Sequence, residues 1–463
     1  MYRNRSPGMK LFLAGLVAAV LIVPLLMVYA LVYDRESQSQ TAQEAITQGW
    51  GGAQTVTGPV LVIPYTATTT ESETVNGRQT TRSVQVRREL FVSPTRQSVE
   101  TSIDPDRKGY AIYESVVYDS ALRGTASFAL PQDLARYGVS RASLMTDQAE
   151  LRFGISDPRG LKDDARVRVD GAVAELSPGN GPAATGGSGF STFVDWSGES
   201  PLEVRWQYGM RGSHSLSLMP RGGETEWKVT SAWPHPSFTG GFLPDTRAVG
   251  GDGFTATYEG ITNLALGRPL VSLSDFGAGA DEMVEARAYR GGPEVDPGTV
   301  ATIGLVEPVD LYSQVDRAVK YGFLFIGFTF AAFLMFDIVG GARVAPAEYL
   351  LTGAGLVLFF VMLLAIAEVA GFTIAYVIAA AAIIGLLTAY SAAVLHSWRR
   401  ASFIGAMLAA LYTLLFVLLS METFSLLIGS VLLFAALAGI MYVTRRVDWS
   451  AVGREDEEAP GAL

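Results

Sequence analysis

The sequence predicts a membrane α-helical protein with six transmembrane helices and a large mainly-β extracytoplasmic domain, sandwich-like in its packing. Three observations lead there. Five long apolar runs crowd the last third of the chain, and a sixth stands alone near its start. Residues 34–321 between them hold no spanning run and change to a strand-like period of two. Cations flank the short connections between runs on one side only.

Residues 1–33 read as a cytoplasmic N-terminus and the first transmembrane helix. The apolar run 11–33 follows Arg3, Arg5 and Lys10, and a bilayer core needs about 20 apolar helical residues to cross. Leading positive charge and the triplet Val28-Tyr29-Ala30 also suit a secretory signal. The run exceeds a usual signal core of about 7–15 residues, so an uncleaved anchor is expected. Pro24 lies inside it, which neighbouring membrane helices tolerate by satisfying the freed carbonyl.

The polar stretch 34–47 continues this helix until Gly49-Trp50-Gly51-Gly52 stops it. Strands are then expected at 60–63, ending at Pro64, and at 83–92, 115–118, 124–130, 166–169, 202–208, 213–219, 224–231 and 254–258. Gly, Pro, Asn and Asp punctuate them. Asn76-Gly77 signals a hairpin turn. Short helices are expected at 132–137 and 140–145. Such strands pack as a mostly antiparallel sandwich, or as two stacked subdomains divided at the flexible Gly-rich loop 179–189.

Residues 322–445 form the predicted five-helix bundle, with runs at 322–336, 349–367, 373–395, 403–420 and 424–443. With the N-terminus inside, Arg343, Arg399, Arg400, Arg445 and Arg446 all fall in inside connections. The outside turns at Gly371 and Glu422 carry no Lys or Arg. The positive-inside rule therefore places both termini, including the acidic tail 446–463, in the cytoplasm and the β-rich domain outside.

A formal net charge of -10 disfavours a nucleic-acid partner. No cysteine is present, which excludes disulfides and thiolate chemistry, and three histidines are too few for a histidine-rich metal site. No motif for a cofactor, a phosphate or a catalytic metal is found. Ser213-His214-Ser215 raises a hydrolase reading, yet neighbours along a strand point to opposite faces. The densest constellation is Trp233-Pro234-His235-Pro236 with Phe238. Its prolines stop strand pairing, so it reads either as a recognition loop or as a rigid crossover between two sheets. Glu368 lies within an apolar run and reads as an intramembrane polar site, or as a capping acid at a helix end. Glu307, Pro308, Asp310, Tyr312, Arg317 and Lys320 mark a candidate coupling segment, a helix leading straight into the second span.

With these residues laid out, the chain resembles the CreD family of bacterial inner-membrane proteins. Trp50-Gly51 with Gln54, then Gly58-Pro59 before Ile63-Pro64-Tyr65, carries the start of the resemblance. The stretches 213–218 and 233–238 and Phe242-Leu243-Pro244 carry its centre. Glu307-Pro308-Val309-Asp310 with Tyr312, Lys320-Tyr321-Gly322, Glu348-Tyr349-Leu350-Leu351 and Gly371-Phe372 complete it. The resemblance implies a multi-pass protein of the bacterial inner (plasma) membrane with a periplasmic domain, associated with cell-envelope integrity. It brings no catalytic residues and no cofactor. The expected function is non-enzymatic support of the envelope. Its partners are the lipid bilayer and envelope proteins or other envelope components, with no nucleic acid. The alternative is a transporter or lipid-handling protein that uses the C-terminal bundle.

Overall fold

The computed structural model describes residues 7–75, 78–110, 113–275, 299–307, 311–338 and 344–420, with a scattering of positions between 430 and 445. The chain divides into two compact units, Thr41–Pro308 and a second made of Met1–Gln40 with Val309–Leu463. These divisions fall at 40/41 and 308/309, where the sequence suggested 33/34 and 321/322.

In chain order the strands are β1 (Gln54–Val75), β2 (Arg78–Val92), β3 (Arg96–Tyr110), β4 (Tyr113–Phe128), β5 (Ala149–Ile155) and β6 (Arg166–Val169). Next come β7 (Ala172–Val173), β8 (Ser177–Pro178), β9 (Gly189–Val194), β10 (Leu202–Ser213), β11 (Ser215–Met219) and β12 (Glu224–Ser231). Last are β13 (Pro236–Gly240), β14 (Thr246–Gly250), β15 (Gly253–Thr262), β16 (Val271–Ser272) and β17 (Ala301–Leu305). One sheet runs β13-β17-β11-β1-β5-β9-β8, with β2 paired to β1 and β16 to β2. The other runs β14-β15-β12-β3-β4-β10-β6-β7. Among the described pairings, β1–β11 and β3–β12 are parallel and the rest antiparallel.

Period-two patterning explains the core. Along β10, Leu202, Val204, Trp206 and Tyr208 are buried while Glu203, Arg205 and Gln207 face water. Strands of both sheets feed one hydrophobic cluster. Phe153 of β5 stacks on Phe190 of β9 at 4.8 Å and meets Trp206 of β10 edge-on at 5.8 Å, so rings interlock from one sheet to the other.

Several sequence readings change. Pro64 does not end its strand, because β1 continues to Val75. The Met145 N–H donates to the Pro64 carbonyl at 2.8 Å, so that side of Pro64 faces away from β2. Its missing N–H therefore costs no bond in the β1–β2 ladder. The strand expected at 213–219 is two strands broken at His214, which adopts a left-handed φ of 59°. The expected short helices are single 3-10 turns at Leu134–Tyr137 and Arg141–Ser143. β1 and β2 meet as an antiparallel hairpin around 76–77, residues that themselves lie outside the described set. The Gly-rich stretch 179–189 lies inside the β unit as a closed loop, with Gly181 N–H donating to Gly187 O at 2.9 Å.

The helices are α1 (Pro7–Trp50), α2 (Leu311–Lys320), α3 (Gly322–Ile338), α4 (Pro346–Ala370), α5 (Phe372–Val394) and α6 (Trp398–Ser420). Among the described residues five helical stretches are long and apolar enough to cross a membrane: α1, α2 with α3, α4, α5 and α6. The sixth predicted span, 424–443, falls outside the described residues save for scattered positions. α1 keys into the others through glycine. Leu21 fills the space over Gly353 and Leu25 the space over Gly322, where a Cβ would run into the leucine methyls. Small residues let helices approach this closely in lipid.

Candidate functional site

Two points where the chain changes sheets define a corner of the β unit. β10 belongs to the eight-stranded sheet and β11 to the nine-stranded one, with His214 as the pivot. β12 and β13 are likewise in different sheets, joined by 232–235. Trp233, Pro234 and His235 thus lie at a crossover, and Pro236 and Phe238 lie on β13, pairing with Leu305 and Ile303. Trp233 is buried and its indole N–H donates to Val306 O at 3.0 Å. Phe238 meets Phe254 edge-on at 5.7 Å. His235 is exposed.

The outgoing end of β17 stitches the two crossovers together. Leu305 N–H donates to His214 O at 2.7 Å, and Val306 N–H to His235 O at 3.3 Å. Glu307 follows and pairs with Arg107 at 3.2 Å, while the Arg107 guanidinium lies 5.7 Å from the Trp233 ring centre. The last turns of α1 reach the same place. Thr47 Oγ1 lies 3.4 Å and Ser115 Oγ 3.5 Å from His214 Nε2. Lys108 and Arg211 lie 5.0 and 4.6 Å from the Trp50 ring centre. α1 stops there because Gly51 takes a φ of 137° and packs on Arg211 O, where a Cβ would sit at 3.0 Å.

Partial withdrawal from water holds the His214 imidazole below its usual pKa, against the pull of Glu307. Complete burial pushes the Tyr118 phenol far above its ordinary range, and its hydroxyl donates to Ser215 O at 2.8 Å. Ser213 Oγ is buried without a partner, and the serine that approaches His214 is Ser115 of β4, in keeping with strand neighbours that point to opposite faces. His214 therefore acts as a strut among α1, β4 and β17.

The helical unit holds the other predicted residues. Glu368, near the end of α4, has a carboxylate 12% exposed. It accepts from Tyr312 Oη at 3.3 Å and lies 3.9 Å from Arg35 Nε. Arg317 Nε donates to Ser313 O at 3.3 Å, and Lys320 pairs with Asp316 at 2.6 Å. Pro308 and Asp310 lie outside the described residues. α2 does form and meets α3 at the single residue Tyr321, whose N–H donates to Ala318 O at 3.2 Å.

Sequence reasoning passed over a second ion pair. Lys10 Nζ meets Asp337 Oδ1 at 2.9 Å, with the carboxylate 2% exposed. Lys10 and Arg35 stand about 37 Å apart along α1 at 1.5 Å per residue. That exceeds the roughly 30 Å hydrocarbon thickness and falls inside the roughly 40–45 Å of the whole bilayer. In the sequence Lys10 flanks the first apolar run and Asp337 lies one residue past the run 322–336, so neither position signals the pair.

Comparison with known proteins follows the same lines. The family described as inner membrane protein CreD matches residues 6–450. The inner membrane protein CreD of Escherichia coli (strain K12) is 31% identical over 442 residues, covering 93% of this chain and 91% of its own.

Proposed function

Because this chain belongs to the CreD family of inner membrane proteins, we propose that it supports cell-envelope integrity without catalysis, its β unit binding envelope proteins or other envelope components. In this reading the β unit is a periplasmic sandwich, six spans cross the membrane and both termini are cytoplasmic. The corner at His214 carries the reading. The incoming helix, through Thr47, and the outgoing strand, through Leu305, are fastened to one residue. Membrane attachment at both ends of the β unit raises its effective concentration toward neighbours. The segment from Glu307 to Lys320 is the tether through which load on that body reaches the helices.

The test is made in cells. Deleting the chain should raise sensitivity to detergents and dyes, and full-length protein should restore resistance. Photo-crosslinking residues placed at the exposed positions Leu243 and Val249 of the full chain should capture envelope components, and protease added to spheroplasts should reach the β unit. Unchanged sensitivity on deletion, with no crosslink from either position, abandons the proposal. A second reading, a transporter or lipid-handling bundle, rests on Glu368 with Tyr312 and Arg35. An unaltered phenotype in Glu368→Gln removes its proton-coupled form.

A further inference from the structure

Asp337 is the most deeply placed charge among the described helices for which an ion pair is seen. Its Oδ1 accepts from Lys10 Nζ at 2.9 Å and from the Val344 N–H at 3.4 Å. Its Oδ2 is buried with no hydrogen-bond partner. The hydroxyls of Thr329 on α3, Tyr349 and Thr352 on α4, and Thr388 on α5 are also buried without a partner.

These groups occupy neighbouring levels of the bundle. Phe330 and Phe333 meet the Tyr349 ring at 5.2 and 6.0 Å. On α3, Thr329 lies about one turn before Phe333 and Asp337 about one turn after it, on the same face. Leu387, next to Thr388, packs on Gly355, one turn beyond Thr352. Gly405 of α6 packs against Thr388 Oγ1. The Lys10 half of the bundle thus gathers one carboxylate and four hydroxyls from three helices.

A carboxylate within apolar helices is costly to keep ionised, and such groups mark proton or ion paths. An ionised carboxylate only accepts hydrogen bonds, as its Oδ1 does here, whereas a protonated one also donates. The resident ammonium of Lys10 already neutralises Oδ1, which leaves a metal cation no net charge to meet. We propose that this half of the bundle holds a proton-binding site, in which Asp337 Oδ2 takes a proton, Lys10 is the counter-cation released, and the hydroxyls of Tyr349, Thr352, Thr329 and Thr388 form the polar file behind it. The proton comes from hydronium, leaving water. Neutral Asp337 then donates its new O–H, and the freed Lys10 ammonium extends toward the headgroups. Among the described residues, the charged and titratable groups shown to act with Asp337 are Lys10 from α1 and Tyr349 from α4, while Glu348 acts in turn on Tyr349. α6 brings Phe403 against Phe336, with Arg399 and Arg400 in its first turn.

The experiment is infrared difference spectroscopy of the full-length protein in lipid vesicles during a pH titration. Wild type should gain a protonated-carboxyl band on acidification that Asp337→Asn lacks, Asp337→Glu restores and Glu368→Gln retains. Identical spectra for wild type and Asp337→Asn overturn the proposal. If Asp337→Asn does not accumulate, Asp337→Glu decides alone: it should shift the frequency of one protonated-carboxyl band and leave those of the other carboxyls in place, and an unshifted spectrum overturns the proposal.

Discussion

The β unit and the helical unit hold themselves together by different physics. In the β unit, water drives large side chains inward. Trp227 is fully buried, stacks on Tyr258 at 5.0 Å and still finds a partner for its indole N–H in Thr101 Oγ1 at 3.0 Å. Among the helices lipid is as apolar as leucine, so burial from water gives little drive and close fit takes over. There Leu21 and Leu25 seat over Gly353 and Gly322, and two cations of α1 meet Asp337 and Glu368. A polar group left unpaired in the first unit is a cost of folding. In the second it is a candidate for work.

Substitutions can break this contrast in graded steps. The largest effect is expected from Trp227→Ala, a loss of about 3–5 kcal/mol read as a fall in the β unit's unfolding temperature, with the helices unaffected. Asp337→Asn should cost about 2 kcal/mol in detergent, less than a fully buried pair because the Lys10 side chain is 27% exposed. Gly353→Leu should cost about 1–3 kcal/mol by overfilling the notch that Leu21 occupies. Adding Leu21→Ala should recover part of that loss, and a strictly additive double variant would show that the notch is not the contact. Glu368→Gln should cost less than about 1 kcal/mol, since its partner Arg35 is 41% exposed and 3.9 Å away.

The smallest effect is a dependence on pH. His214 titrates below its unfolded value of 6.5, so the unfolded chain binds the proton more readily. The stability His214 contributes is complete above that value and declines as pH falls through the folded one. His214→Gln should flatten this acid slope in hydrogen exchange at Leu305 and Val306. An unchanged slope would place the titrating group elsewhere.

What the sequence made legible followed from local rules. Gly49-Trp50-Gly51-Gly52 stops α1, Asn76-Gly77 falls between β1 and β2, and each apolar run among the described residues became a helix. Strands such as β3 stayed hidden because Pro105 and a run of charges mask its alternation. The break at His214 was invisible for another reason. Ser213 through Met219 alternates as one strand, and only the pairing of each half with a different sheet requires the left-handed pivot. The corner could not be read because its members come from positions near 47, 107, 115, 214, 233 and 306. Asp337 and Lys10 each had an ordinary local explanation, and their meeting is a long-range fact.

The place of β17 bears on how the protein is made. Among the described strands it is the last to leave the ribosome, yet it lies inside its sheet between β11 and β13. Translation adds about 5–20 residues per second, so those two strands wait through the synthesis of residues 241–300 with open edges. Open edges invite pairing with other chains. Completion of the sheet thus coincides with arrival of the hydrophobic segment just downstream, which ties maturation of the β unit to the insertion step that follows it.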